Sequence, residues 1–174
     1  MTQYPQTSGM GEFKAFLESG QLGSLSNRPT IEEVYQYFGQ ATAEDRDANV
    51  AHESNFIRLY YENFEIRYIN KTFYQLAIYF RSIEKINISA ERSELLGISW
   101  YSTVSKMSFD EIVEFLKFNN ISCRRVVFSL PEEDAGLAIE VMTTGIWISF
   151  ADRSRIDCIH YTPSRPGKFE YVPL

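Results

Sequence analysis

Two segments of this chain open helices in the same way. Thr30-Ile31-Glu32-Glu33 and Ser108-Phe109-Asp110-Glu111 are both capping boxes. In such a box the hydroxyl and the glutamate satisfy backbone amides that the first helical turn leaves unpaired. Behind the first box, Ile31, Val34, Tyr35 and Phe38 recur at i, i+3, i+4 and i+7, and Gly39 ends the run. Behind the second, Phe109, Ile112, Val113 and Leu116 repeat that spacing. Asn119 and Asn120 end it, because asparagine tolerates the left-handed backbone of a helix stop. The spacing predicts two amphipathic helices, each with one apolar stripe to bury.

Each helix is followed by segments of period 2. Phe64-Glu65-Ile66-Arg67-Tyr68 alternates, turns at Asn70-Lys71-Thr72 and continues through Tyr74, Leu76, Ile78 and Phe80, with Ile86 and Ile88 beyond. Later, Leu137 to Met142 turns at Thr143-Thr144-Gly145 and continues through Ile146, Ile148 and Phe150, then Ile156 and Cys158. This alternation predicts antiparallel strands with one buried face. Leu76, Ile78, Phe80, Ile86 and Ile88 match Ile146, Ile148, Phe150, Ile156 and Cys158 at a constant offset of 70. The fold class expected is therefore α+β, a tandem duplication of a helix plus antiparallel β-meander unit. A short leading helix over residues 12–19 carries Phe13, Phe16 and Leu17 on one side and stops at Gly20. The organisation expected is a flexible tail at 1–11, a first unit at 12–89, a second at 90–162 and an extension at 163–174, the two units making one globular domain.

Composition narrows the function classes. The 174 residues are 44% hydrophobic, enough for a core without metal or disulfide. Seventeen basic against twenty-three acidic side chains give a net charge of −6, shared evenly at −3 for residues 1–87 and −3 for residues 88–174. A binder of nucleic acid or of an anionic membrane surface shows the opposite sign. Cys123 and Cys158 stand apart with no Cys-x-x-Cys, which suits reduced thiols in a cytoplasmic chain. The polar start shows neither a signal peptide nor a transit peptide, and no run of about 20 apolar residues offers a membrane span.

The stretch from Pro29-Thr30-Ile31-Glu32-Glu33-Val34 to Phe38-Gly39 resembles the helix start of β-lactamase-inhibitor-protein-like folds. With Gly145-Ile146-Trp147-Ile148-Ser149-Phe150, it is also similar to two-repeat proteins of bacterial toxin–immunity loci. The resemblance spans roughly residues 20–162 and implies a binding protein rather than an enzyme. Arg28-Pro29 replaces the Gly-Met usual in that pattern.

The search for chemistry agrees with a binding role. Asp157 and His160 fall on opposite faces of a strand, so Ser154 gains no triad. His52-Glu53 and Cys158-x-His160 do not form a metal-ligand cluster. Glu132-Glu133-Asp134 reads as a solvated acidic turn after Pro131. No catalytic constellation, cofactor site or metal site is expected.

What remains is surface. Glu44, Asp45, Asp47 and Glu53 lie in one helix-to-hairpin segment, and Glu132, Glu133 and Asp134 in the other. Tyr60, Tyr61, Tyr74 and Tyr79 lie on or beside strands. Acidic loops around tyrosine anchors suit a protein interface, where charge steers and aromatics hold. The function expected is an intracellular immunity or inhibitor protein that neutralises a basic toxin domain, with self-association left open. The alternatives are a small ligand-binding or enzymatic domain with its pocket on the sheet face, and a structural adaptor.

Overall fold

The computed structural model describes residues 9–47, 56–61, 63–80, 98–130, 133–162 and 170–172. Among them lie four helices: α1 (Met10–Ser19), α2 (Ile31–Phe38), the single-turn α3 (Tyr101–Val104) and α4 (Phe109–Phe118). The strands are β1 (Ala43–Asp47), β2 (Phe56–Tyr61), β3 (Phe64–Ile69), β4 (Thr72–Tyr79), β5 (Cys123–Leu130), β6 (Glu133–Val141), β7 (Trp147–Asp152), β8 (Arg155–Tyr161) and β9 (Glu170–Val172). They form one antiparallel sheet in the order β1-β2-β3-β4-β8-β7-β6-β5-β9. Two four-strand meanders thus meet at their last strands, with Ile78 opposite Ile159.

Both capping boxes are formed. Thr30 Oγ1 accepts from the Glu33 amide at 3.2 Å, and the Thr30 amide donates to Glu33 Oε2 at 2.6 Å. At α4 the same pair of bonds joins Ser108 and Glu111 at 3.3 and 2.7 Å. The Ser108 amide and then its hydroxyl, both donating to Glu111 Oε2, hold that carboxyl below its ordinary pKa. Gly20 ends α1 at φ 71°, its amide donating to the Phe16 carbonyl at 2.7 Å. A Cβ there would meet the Tyr161 ring at 2.8 Å. Asn120 supplies the left-handed stop of α4 at φ 56°.

Every described helix packs on one face of the sheet. The row Tyr61–Phe64–Ile78–Ile159–Ile148–Ile139 runs across six strands by direct pairing, and all six residues belong to a single core. Phe38 of α2 lies on Phe64, ring centres 4.8 Å apart. Phe109 of α4 meets Phe150 edge-on at 5.2 Å. Phe13 of α1 packs on Trp100 at 4.8 Å and on Phe115 at 5.5 Å, so the leading helix rests on the second half of the chain. Phe115 is buried although the predicted stripe omits it, and Val113, which the stripe includes, is half-buried.

Three expectations change. The offset of 70 aligns β4 with β7, yet β4 is fourth in its meander and β7 third in its own. The element in the place of β4 is β8, which begins 83 residues after it. Both strands have period 2, so a mismatched pair still agrees in phase. Secondly, the acidic segments are not loops: Glu44, Asp45 and Asp47 lie in β1, and Glu133 and Asp134 begin β6. An all-polar segment can become a strand at a sheet edge, where charge discourages further pairing. Thirdly, Thr72 belongs to β4, so the turn is Asn70-Lys71 alone. Ile86, Ile88, Glu53 and Glu132 lie outside the described residues.

Candidate functional site

On the other face of the sheet, one position along each strand, a second row runs Tyr60–Glu65–Ala77–His160–Trp147–Glu140–Arg124. No described helix contributes to the small apolar cluster on this face, Val126, Ala138 and Trp147. Here alternation places polar and aromatic side chains where the core face has isoleucine.

The row centres on Glu65, which is 3% exposed. The Arg67 guanidinium donates to one of its carboxylate oxygens, and the Tyr79 hydroxyl donates to the same oxygen at 2.7 Å. Arg58 Nε stands 3.8 Å from the other oxygen. Burial first, and then this carboxylate, push the Tyr79 phenol well above its ordinary pKa. Arg58 Nη1 donates to the Tyr60 hydroxyl at 2.6 Å. Its guanidinium carbon lies 5.3 Å from the Phe56 ring centre and 5.6 Å from that of Tyr60, within cation–π range. Further along, Gln75 Nε2 lies 3.3 Å from His160 Nδ1, and Arg124 Nε donates to Glu140 at 2.7 Å. Arg58 Nε, Arg67 Nε and Gln75 Oε1 are buried with no hydrogen-bond partner among the described residues. Phe56, Tyr60, Tyr79, Gln75 and His160 are half-buried.

The predicted binding residues separate on this framework. Tyr60 belongs to the face on which no described helix packs. Tyr61, its neighbour, is a core residue: 3% exposed, stacked on Phe64 at 4.9 Å, its hydroxyl donating to the Gly39 carbonyl at 2.9 Å. Tyr74 is half-buried at a groove beside Lys71 and Arg28. Asp45 is exposed and pairs in register with Arg58. Glu44 accepts from the Tyr35 hydroxyl at 3.1 Å and pairs with Arg46 on the opposite side of β1. The backbone at Glu133 and Asp134 lies six strand spacings from β1, about 29 Å along the sheet at ordinary strand separation. The two acidic segments thus lie on strands far apart in the sheet, β1 at one edge and β6 third from the other. Arg58, Glu65, Arg67 and Trp147 are missing from the sequence expectation. Their signal was the phase of the alternation: whatever is one residue out of step with Phe64, Ile66 and Ile78 must share the other face.

Among the described residues no group of three metal-ligating side chains converges, and no helix is long and apolar enough to cross a membrane. Both cysteines are free thiols, Cys158 buried and pushed well above its ordinary pKa by that burial. Compared with protein-family models, with curated proteins and with solved structures, the chain finds no match.

Proposed function

We propose that this is a non-catalytic, cytoplasmic binding protein of the bacterial immunity or inhibitor kind, which covers a toxin domain with the helix-free face of its sheet. The observation that carries this reading is the composition of that face. Phe56, Tyr60 and Tyr79, all half-buried, share it with Arg58, Arg67 and Arg124, and tyrosine and arginine are prominent in the energetic centres of protein interfaces. Its charges are paired within the face, so the centre is near neutral and contact there needs no charged partner. The acidic residues of β1, the acidic start of β6 and the net charge of −6 favour a basic partner and steer its approach. We also read the two meanders as copies of one unit. In support, each follows a capping-box helix, and the sheet order is the same when read outward from the β4–β8 junction.

The test starts with capture of partners from an extract of the source cells, followed by binding kinetics on the protein retained. Tyr60→Ala or Arg58→Ala should raise the dissociation rate by about tenfold, as loss of a packed anchor does. Asp45→Lys combined with Glu133→Lys should slow association, and added salt should slow the unaltered protein as the Debye length shrinks. Tyr37→Ala and Phe118→Ala, in the helices, should change neither rate. An acidic partner, or binding indifferent to the sheet-face variants, would overturn the proposal.

A further inference from the structure

Each capping-box helix starts beside the turn that joins the third and fourth strands of its meander, and the two junctions are built differently. In the second half the junction is closed. The Phe109 amide donates to the Arg153 carbonyl at 2.9 Å, and the Arg153 guanidinium sits 4.9 Å from the centre of the Phe109 ring. Asp110, second residue of α4, pairs with that guanidinium at 2.8 Å.

In the first half the corresponding junction is an open groove of about 340 Å³ between the start of α2 and the β3–β4 turn. Arg28, Thr30, Lys71, Thr72 and Tyr74 line it around Pro29 and Phe73. None of the seven is a carboxylate. Glu32 stands where Asp110 stands in α4, yet among the described residues neither it nor Arg28 nor Lys71 has an ion-pair partner, although five other arginines do. The groove's frame is held: the Pro29 carbonyl accepts from the buried Tyr68 hydroxyl at 3.1 Å, and the Glu33 carboxylate is occupied by the Thr30 amide.

We propose that this groove binds a small organic oxyanion, a phosphate or a carboxylate carried on a flat apolar body. Arg28 and Lys71 meet the charge, the hydroxyls of Thr30, Thr72 and Tyr74 supply donors, and the Phe73 ring and Pro29 receive the body. The volume falls within the range of small-ligand sites, and an apolar floor with a few convergent polar groups is their usual construction. The site is separate from the proposed protein-binding face and stands or falls without it.

Amide NMR titration of the full chain tests it, with phenyl phosphate and benzoate as probes. Saturable shifts at Thr30, Lys71 and Thr72 are expected, with a dissociation constant on the order of 1 mM for the better probe. Tighter phenyl phosphate identifies a phosphate site, and equal or tighter benzoate a carboxylate site. Arg28→Gln and Lys71→Gly should each weaken binding about tenfold, the loss of one charged contact. Lys117→Gln, on α4, should leave it unchanged. No saturation by about 10 mM of either probe, or undiminished binding in either groove variant, overturns the assignment.

Discussion

The two faces of the sheet are built from neighbouring residues of the same strands. Tyr61, Phe64, Ile78, Ile159, Ile148 and Ile139 point into the helices, while Tyr60, Glu65, Ala77, His160, Trp147 and Glu140 point away. One face is held by apolar burial, which tolerates any filling of the right volume. The other is held by directed contacts: Glu65 must find Arg67 and Tyr79, and Glu140 must find Arg124. A slip of one residue in any strand would bury those charges under the helices and expose the isoleucines. The polar face therefore does more for register than for net stability. On that face Glu65, Ala77, Trp147 and Glu140 are themselves buried, and the half-buried Phe56, Tyr60 and Tyr79 are the side chains left for recognition.

The sharpest way to break this comparison is to truncate one large residue on each side. Trp100→Ala and Phe150→Ala should each destabilise by about 3–5 kcal/mol, since both rings are buried and leave cavities. Tyr60→Ala, from the half-buried row, should cost less than about 1 kcal/mol. Denaturant midpoints measure both, and equal losses would mean that the two faces are not energetically distinct.

Removing the central carboxylate comes next. Glu65→Ala strips Arg67 and Arg58 of their counter-charge and Tyr79 of its acceptor, which should cost about 2 kcal/mol, with the partly exposed guanidiniums limiting the loss. Glu65→Leu combined with Arg67→Met removes both partners and should recover much of that difference. If the double variant is worse than the single one, the network contributes net stability rather than register.

The same network sets an alkaline limit. Burial raises the phenols of Tyr61, Tyr68 and Tyr79 above their ordinary value near 10. An acid whose folded pKa is raised contributes stability that is full below its unfolded pKa and is lost as pH climbs beyond it. Stability should therefore hold to about pH 10 and then fall, with part of the tyrosine absorbance change delayed until unfolding. Glu65→Gln should advance the titration of Tyr79 alone, because Tyr61 and Tyr68 lie on the helix side.

Much of the helix side was legible in the chain. Capping boxes, Gly20, Gly39 and the apolar stripes are local signals, and α1, α2 and α4 follow them closely. The strands from Phe64 to Tyr79 and from Leu137 to Tyr161 were legible by alternation. β1 was not, since Ala43–Asp47 has no apolar residue beyond alanine and becomes a strand because β2 offers it a ladder. β5 was hidden by Arg124-Arg125 ahead of its valines, and β9 is three residues long. The polar face was readable only after the core phase was known. Tyr60 and Tyr61 look alike in sequence, and only pairing with Glu65 and Phe64 tells which one is covered.

Smaller effects separate the helix starts. Thr30→Ala and Ser108→Ala should each lose about 1 kcal/mol through the missing cap. Ser108→Ala should also change the acid limb. The Glu111 carboxyl is held low, so its contribution is present above the ordinary glutamate pKa and is lost as pH falls through the lowered value. Stability curves from pH 3 to 7 on Ser108→Ala and the unaltered protein would show the change, and identical acid limbs would overturn it.

The smallest effect compares the two turns. Asn70 and Lys71 both have positive φ, 51° and 62°, the left-handed pair of a type I′ hairpin turn in which glycine is favoured at the second place. A lysine held there is strained by about 1 kcal/mol, partly offset because glycine loses more freedom on folding. Lys71→Gly should therefore raise stability by about 0.5 kcal/mol. At the other turn, Arg153 has no left-handed strain to relieve and holds an exposed ion pair with Asp110 and a stacked contact on Phe109. Arg153→Gly should lower stability by a few tenths to about 1 kcal/mol. Opposite signs in thermal midpoints would mean that the first junction keeps its lysine against the demands of folding, the mark of a residue retained for a ligand. A loss at both turns would mean instead that Lys71 is held by contacts of its own, and that the open groove is an ordinary part of the surface.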